Sequence, residues 1–123
     1  MKIYESAENY LETILILQMK KGNVRSIDIA NELNYSKPSI SVAMKNLREN
    51  HYIEMDAAGA IRLTESGLKI AEKMLERHNF LSEWLCSLGV DSVTAAEDAC
   101  RMEHVISAQS FEALKKHVSE YRR

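Results

Sequence analysis

Proline is almost absent from this 123-residue chain, which has one Pro and four Gly, and aromatic side chains make up only 7% of it. So little punctuation leaves few places to break a helix, and it excludes collagen-like and Pro-rich disordered chains. Two cysteines, Cys86 and Cys100, are too few for a disulfide framework. In a reducing compartment such a thiol is a core residue, a metal ligand or a reactive group. No apolar run approaches the roughly 18 residues of a membrane span, and the acidic Glu5 and Glu8 stand where an export signal carries its apolar core. A soluble cytoplasmic protein without a membrane partner is therefore expected. Nor is one sign of charge in large excess, since 16 Lys+Arg against 18 Asp+Glu give a net charge of -2. Apolar residues, at 46%, are sufficient for one compact domain or two small lobes sharing a core.

The apolar spacing is mostly helical. Ala7, Leu11, Ile14 and Leu15 predict a helix over about Ser6 to Lys20, with Ser6 as N-cap and Gly22-Asn23 beyond its end. A short helix after Ser26 carries Ile27, Ile29, Ala30 and Leu33 and stops at Asn34-Tyr35. The next has Ser36 as N-cap and Pro38 in its first turn, and Ile40, Ala43, Met44 and Leu47 continue it to about Asn50. This is a helix-turn-helix pattern. The period then alternates: Tyr52 to Asp56 and Ala60 to Leu63 flank Ala57-Ala58-Gly59, a hairpin whose turn uses a positive φ at Gly59, forming a wing. Thr64 caps a long helix with Leu68, Ala71, Met74, Leu75, His78, Leu81 and Leu85 on one stripe, ended by Ser87-Leu88-Gly89-Val90. Two more helices are expected, over about Ser92 to His104 and Ser107 to Tyr121. The expected fold is mainly α: a winged helix-turn-helix domain at 1–71 with a small two-stranded wing, then a helical dimerisation and metal-binding domain at 72–123.

Between Lys20 and Arg48 the basic Lys20, Lys21, Arg25, Lys37, Lys45 and Arg48 are opposed only by Asp28 and Glu32. An anionic partner docks on such a stretch, although a solvated helical surface has the same composition. A helix entering the major groove places small polar and basic side chains in its first turns, where backbone N-H groups also face phosphate. Ser36, Lys37, Ser39 and Ser41 fit that requirement, Pro38 shapes the turn, and Lys45 and Arg62 add cationic contacts along the helix and on the wing. The alternative is a helix in which Ser and Pro merely cap. One such head covers only a few base pairs, so specific binding to double-stranded DNA calls for a dimer with heads about 34 Å apart. Phe80, Trp84, Leu85, Leu88, Val90, Val93, Val105, Ile106, Phe111 and Leu114 are candidates for its interface or for ordinary core.

Cys100-Arg101-Met102-Glu103-His104 sets a thiol, a carboxylate and an imidazole at i, i+3 and i+4, one face of one helix. Sulfur, oxygen and nitrogen donors together favour Fe, Mn, Co, Ni or Zn over Ca or Mg. A core Cys beside a salt-bridged Glu and a surface His is the competing reading. His78 lies on the apolar stripe, as a neutral core histidine or a further ligand, and Glu8, Asn9 and Glu12 on the first helix could close such a site. Cys100 and His104 do not make a catalytic pair, having no glycine-rich loop or evident oxyanion donors nearby, and no HExxH pattern occurs. The chain is not expected to be an enzyme.

Asn9-Tyr10-Leu11-Glu12-Thr13-Ile14, Ser36-Lys37-Pro38-Ser39-Ile40-Ser41, Leu63-Thr64-Glu65-Ser66-Gly67 and the stretch from Glu97 to Ser107 resemble the iron- and manganese-dependent repressors of the diphtheria toxin repressor and manganese transport repressor type. The resemblance implies a homodimeric repressor of metal-uptake genes that binds operator DNA when Mn(II) or Fe(II) is bound, with Co, Ni or Zn able to substitute. It implies ligands at Asn9, Glu12, His78, Cys100, Glu103 and His104. Asn9 stands where iron-type members have Met and manganese-type members Asp, while Cys100 is iron-like and Glu12 manganese-like. Ser82 and Ala96 replace ligands of the iron-type ancillary site, so a complete site of that kind is not expected, and a chain ending at Arg123 without an SH3-like third domain resembles the two-domain manganese repressors in architecture. The alternative is a winged-helix regulator whose metal site has decayed and which acts constitutively or answers another signal.

Overall fold

The computed structural model describes residues 5–121; the segment 1–4, which forms part of the region read above for an export signal, and residues 122–123 lie outside it. The elements in order are α1 (Glu5–Lys21), α2 (Ser26–Leu33), α3 (Lys37–Glu49), β1 (Ile53–Met55), β2 (Ile61–Leu63), α4 (Glu65–Ser87), α5 (Ser92–Val105) and α6 (Ala108–Tyr121). The chain divides into two compact units between Lys73 and Met74, inside α4. Among the described residues no helix is long and apolar enough to cross a membrane.

The first unit is a winged helix-turn-helix. Leu11, Ile14 and Leu17 on α1, Ile29 and Ala30 on α2, and Ile40, Met44 and Leu47 on α3 form one buried cluster with Val24, Ile53, Ile61 and Ala71. Burying a side chain of the Leu or Ile type contributes about 1.5–3 kcal/mol. Ser6 is not the cap of α1, because the helix already runs through it from Glu5. Helix α2 begins at Ser26 rather than after it, with Arg25 in extended conformation as N-cap. The Asp28 carboxylate accepts the Arg25 N-H at 2.9 Å, and Asn34, at φ 58°, ends the helix in the left-handed region. Ser36 caps α3 by accepting the Ser39 N-H at 3.3 Å, and the Ser36 hydroxyl donates to Ser39 Oγ at 2.8 Å.

The strands are shorter than the alternation predicted. They pair antiparallel with Ile53 opposite Leu63, Glu54 opposite Arg62 and Met55 opposite Ile61. Ile53 and Ile61 point into the core. Gly59 has φ 86°, and the turn is fastened by Asp56, whose Oδ1 accepts the N-H groups of Ala58 and Ala60, both at 2.9 Å. Sequence pattern gave no sign of the bridge between Ile61 and Val24, in which the Ile61 N-H donates to the Val24 carbonyl at 2.7 Å.

Thr64 caps α4: its Oγ1 accepts the Gly67 N-H at 3.2 Å and donates to the His51 carbonyl at 2.7 Å. A Cβ on Gly67 would lie 2.0 Å from the Tyr52 carbonyl oxygen, so only glycine allows the start of α4 to pass so close to the chain entering the wing. With Gly67 on the inner side, Leu68 turns outward and is exposed, which corrects its place on the stripe; Ala71 and Met74 are buried.

The second unit packs Leu81 of α4, Ala99 of α5 and Phe111 of α6 together, with Phe80, Trp84, Met102, Ile106 and Leu114 around them. Phe80 and Phe111 meet edge to face, centroids 5.5 Å apart. Asp91 caps α5 by accepting the Val93 and Thr94 N-H groups and the Thr94 hydroxyl, bonds that hold its carboxyl below the usual carboxylate range. Ser107 accepts the Ser110 N-H at 3.1 Å at the start of α6. Leu88, Val93 and Val105 are exposed at 63%, 66% and 75%.

Candidate metal centre and DNA-reading head

On α5, Ala95, Ala99 and Glu103 follow one another at four-residue steps, and all three are buried. Two alanines offer a neighbouring element a close approach, and the line they begin ends in a carboxylate whose residue is 0% exposed. Cys100 and His104 flank it. One ligand atom from each of Cys100, Glu103 and His104 lies within 4.8 Å of the others. From α4, His78 Nδ1 is 3.2 Å from Glu103 Oε2, while His104 Nε2 is 3.3 Å from Oε1. The carboxylate thus stands between two imidazoles, with a thiol one turn away on its own helix.

The polar accounting of this cluster is incomplete within the protein. Both Glu103 oxygens and His78 Nδ1 are buried without a hydrogen bond of acceptable geometry, despite their proximity. A buried carboxylate that lacks donors loses its hydration without replacement, a cost of several kcal/mol. The Glu103 carboxylate pushes His78 up from the ordinary imidazole range, and this outweighs burial, which acts in the opposite direction. A divalent transition metal fits the donor set and would satisfy the carboxylate and both imidazoles together.

Asn9 and Glu12 belong to α1 in the first unit. Glu12 is 4% exposed and Asn9 is half-buried, its carbonyl accepting the Thr13 hydroxyl at 2.8 Å. Glu8 is half-buried as well. The sequence reading missed Arg77, which is 5% exposed. Its Nη1 donates to the Glu103 carbonyl at 2.9 Å and the Ile106 carbonyl at 2.8 Å, and its guanidinium lies 5.4 Å from the centre of the Phe111 ring. The available signal was position: Arg77 falls three residues after Met74 and four before Leu81, both buried.

In the first unit Ser36, Lys37, Pro38, Ser39, Ser41, Lys45 and the wing's Arg62 are all exposed. Lys37, Ser41 and Lys45 recur every four residues along α3, about a quarter-turn round the helix from the buried Ile40, Met44 and Leu47. Val42 stands beside them, 61% exposed. The Ser36 and Ser39 hydroxyls are turned to each other and to the helix start. No acidic residue occupies the first turn of α3, so its N-terminal N-H groups and Lys37 present a uniformly electropositive end.

A family model described as the iron dependent repressor N-terminal DNA binding domain matches residues 2–61. One described as the iron dependent repressor metal binding and dimerisation domain matches residues 64–123. The chain belongs to the iron-dependent repressor family. Members are metal-dependent, DNA-binding transcriptional regulators, not enzymes. This family member is 31% identical over 121 residues to an HTH-type transcriptional regulator of Methanocaldococcus jannaschii, covering 96% of each chain. To the transcriptional regulator MntR of Salmonella typhimurium it is 33% identical, over 89% of this chain and 69% of that one. Among solved structures it resembles the IdeR of T. acidophilum, with TM-score 0.78 and 26% identity over 100% of this chain and 56% of that one. It also resembles a manganese-dependent transcriptional repressor in complex with manganese, with TM-score 0.84 and 25% identity over 92% of this chain and 52% of the other. The chain therefore spans about half the length of these two solved structures.

Proposed function

We propose that this chain is a cytoplasmic, homodimeric repressor of metal-uptake genes that binds operator duplex DNA when Mn(II) or Fe(II) is bound, with Co, Ni or Zn able to substitute. The observation that carries the reading is the fully buried Glu103 carboxylate, with no hydrogen bond to either oxygen and a histidine nitrogen near each. Cys100, Glu103, His104 and His78 would hold the metal, and Asn9 and Glu12 of α1 are the ligands proposed to complete the set. When bound, the metal supplies positive charge that neutralises carboxylate and thiolate.

The proposed set draws on α1, from which the reading head is built, and on α4 and α5. Metal binding and DNA binding are then linked, with a coupling of about 1–3 kcal/mol. At the DNA, the Lys37 and Lys45 ammonium groups and the Arg62 guanidinium neutralise phosphates. Ser36, Ser39 and Ser41 meet phosphates or base edges, and Pro38 fixes the turn that presents them.

The test is an anaerobic Co(II) titration of metal-free protein and of Cys100→Ala. Selection from a random duplex pool follows, with and without chelator. A saturable thiolate-to-metal band lost in the variant is expected, along with duplex binding that weakens about 5- to 150-fold on chelation. Absence of saturable Co(II) binding, or duplex affinity indifferent to chelation, would overturn the reading and leave a winged-helix binder governed otherwise.

A further inference from the structure

The last N-H of α5 to bond within the helix is that of Ile106, which donates to the Met102 carbonyl. The carbonyls of Glu103 through Ile106 therefore have no intrahelical donor. Two of the four, those of Glu103 and Ile106, are taken by the single Nη1 of Arg77, one N-H to each. A cation at a helix C-terminus also opposes the negative end of the helix dipole. The same guanidinium lies over Phe111 of α6, at 5.4 Å from the ring centre, and Phe111 is itself 2% exposed. A guanidinium removed from water here meets two carbonyls through Nη1 and a ring face, while its Nε is buried without a hydrogen bond.

These bonds bear on the metal centre by position. Arg77 precedes His78 on α4, and its hydrogen bonds fasten the turn of α5 that carries both Glu103 and His104. Three of the candidate ligands therefore sit on either side of one clamp. We propose that Arg77 is a positioning residue for the metal centre: by gripping the Glu103 and Ile106 carbonyls it fixes the last turn of α5 against α4, setting the Glu103 and His104 donors in register with His78. This rests on the metal-binding reading of the same cluster. Arg77 touches no metal; it acts on the backbone that bears the ligands, and its effect belongs to affinity and coordination geometry.

The experiment compares anaerobic Co(II) titrations, followed by optical spectroscopy, of the wild-type chain, Arg77→Lys, Arg77→Met and Lys115→Ala, with far-UV circular dichroism of each metal-free protein. Lys115 is the control: it too lies 5.4 Å from the Phe111 ring centre and pairs with Glu76 at 3.4 Å, and the structure assigns it no hydrogen bond to the α5 carbonyls. Arg77→Lys keeps a cation but lacks the span of the guanidinium. The expected result is Co(II) binding at least about tenfold weaker in Arg77→Lys, as for other residues that orient ligands. Its ligand-field bands should be altered, its helix content native and Lys115→Ala unchanged. Arg77→Met should lose more.

Wild-type affinity and bands in a folded Arg77→Met would overturn the proposal. So would an equal loss in Lys115→Ala, or an Arg77→Lys that fails to fold while Lys115→Ala folds, since each would leave Arg77 a general packing residue. Failure of the wild-type chain itself to bind Co(II) would instead sink the metal reading on which this proposal rests.

Discussion

Asp28 illustrates how far one side chain's surroundings set its chemistry. Lys21 Nζ lies 2.6 Å from its Oδ1, and the Arg25 N-H donates to Oδ2. The Lys21 bond, and after it the Arg25 bond, holds the carboxyl below its ordinary value, which is about 3.9 in the unfolded chain. A depressed value means that the folded state favours the charged form. The stabilisation is thus complete above the ordinary value and is lost as pH falls through the folded one. The contribution of a pair this near the surface is below about 1 kcal/mol. Asp28→Asn is expected to lose more stability at pH 7 than at pH 3, because part of the stabilisation has gone once the pH is below the ordinary carboxylate value; urea midpoints of both proteins at the two pH values would show it, and parallel acid sensitivity would refute it. Glu103 and Arg77 are the opposite case. The spacing of Cys100, Glu103 and His104 was legible because a helix face is a local property. Sequence could not tell that Glu103 is wholly buried or that His78 stands 3.2 Å from it, because those depend on packing between helices. Arg77 escaped notice because an arginine is read as surface unless its partners, here two main-chain carbonyls, are known.

Helix α3 was the most legible element, because a capping serine followed by Pro38 in the first turn leaves little freedom over where it starts. Ser36 nevertheless has two roles to separate, the observed cap and the proposed contact with DNA. Replacing it by Ala should cost about 1 kcal/mol of stability. Ser36→Asp should hold stability within a few tenths of a kcal/mol of the wild type, since aspartate caps equally well, yet should bind duplex DNA at least about tenfold more weakly, because a carboxylate then faces phosphate. Chemical denaturation and fluorescence anisotropy at one fixed salt concentration would separate the roles. Equal DNA affinity for Ser36→Asp would remove Ser36 from the interface. Where elements were misread, the missing information was tertiary. Apolar periodicity placed Leu68 on the inner stripe of α4, but the close passage of Gly67 beneath Tyr52 sets the rotation of that helix. The Val24 to Ile61 bridge joins residues far apart in sequence, for which no short-range pattern exists.

At the scale of the whole chain, the wing differs from the junction that follows it in how it is held. Among the described residues the hydrogen bonds closing the wing's tip, Ala57-Ala58-Gly59, all involve Asp56, whose Oδ1 and carbonyl accept the Ala58, Ala60 and Gly59 N-H groups and whose own N-H donates to the Ala60 carbonyl. From Thr64 to Gly67 the chain is tied at several points: the Thr64 N-H donates to the Tyr52 carbonyl at 3.0 Å, the Thr64 and Ser66 hydroxyls both reach the His51 carbonyl, and Gly67 lies against Tyr52. A protease must draw several residues of extended backbone into its cleft, so local opening decides where it cuts. Elastase, which cleaves after small residues, should therefore nick the chain first at Ala57 or Ala58, as mass spectrometry of the earliest fragments would show. An early cut between Thr64 and Gly67 would contradict this. The passage from the wing into α4 is thus no severable tether, and a genetic dissection of the two matched regions that cuts there would strip the reading head of the backbone partners that close it.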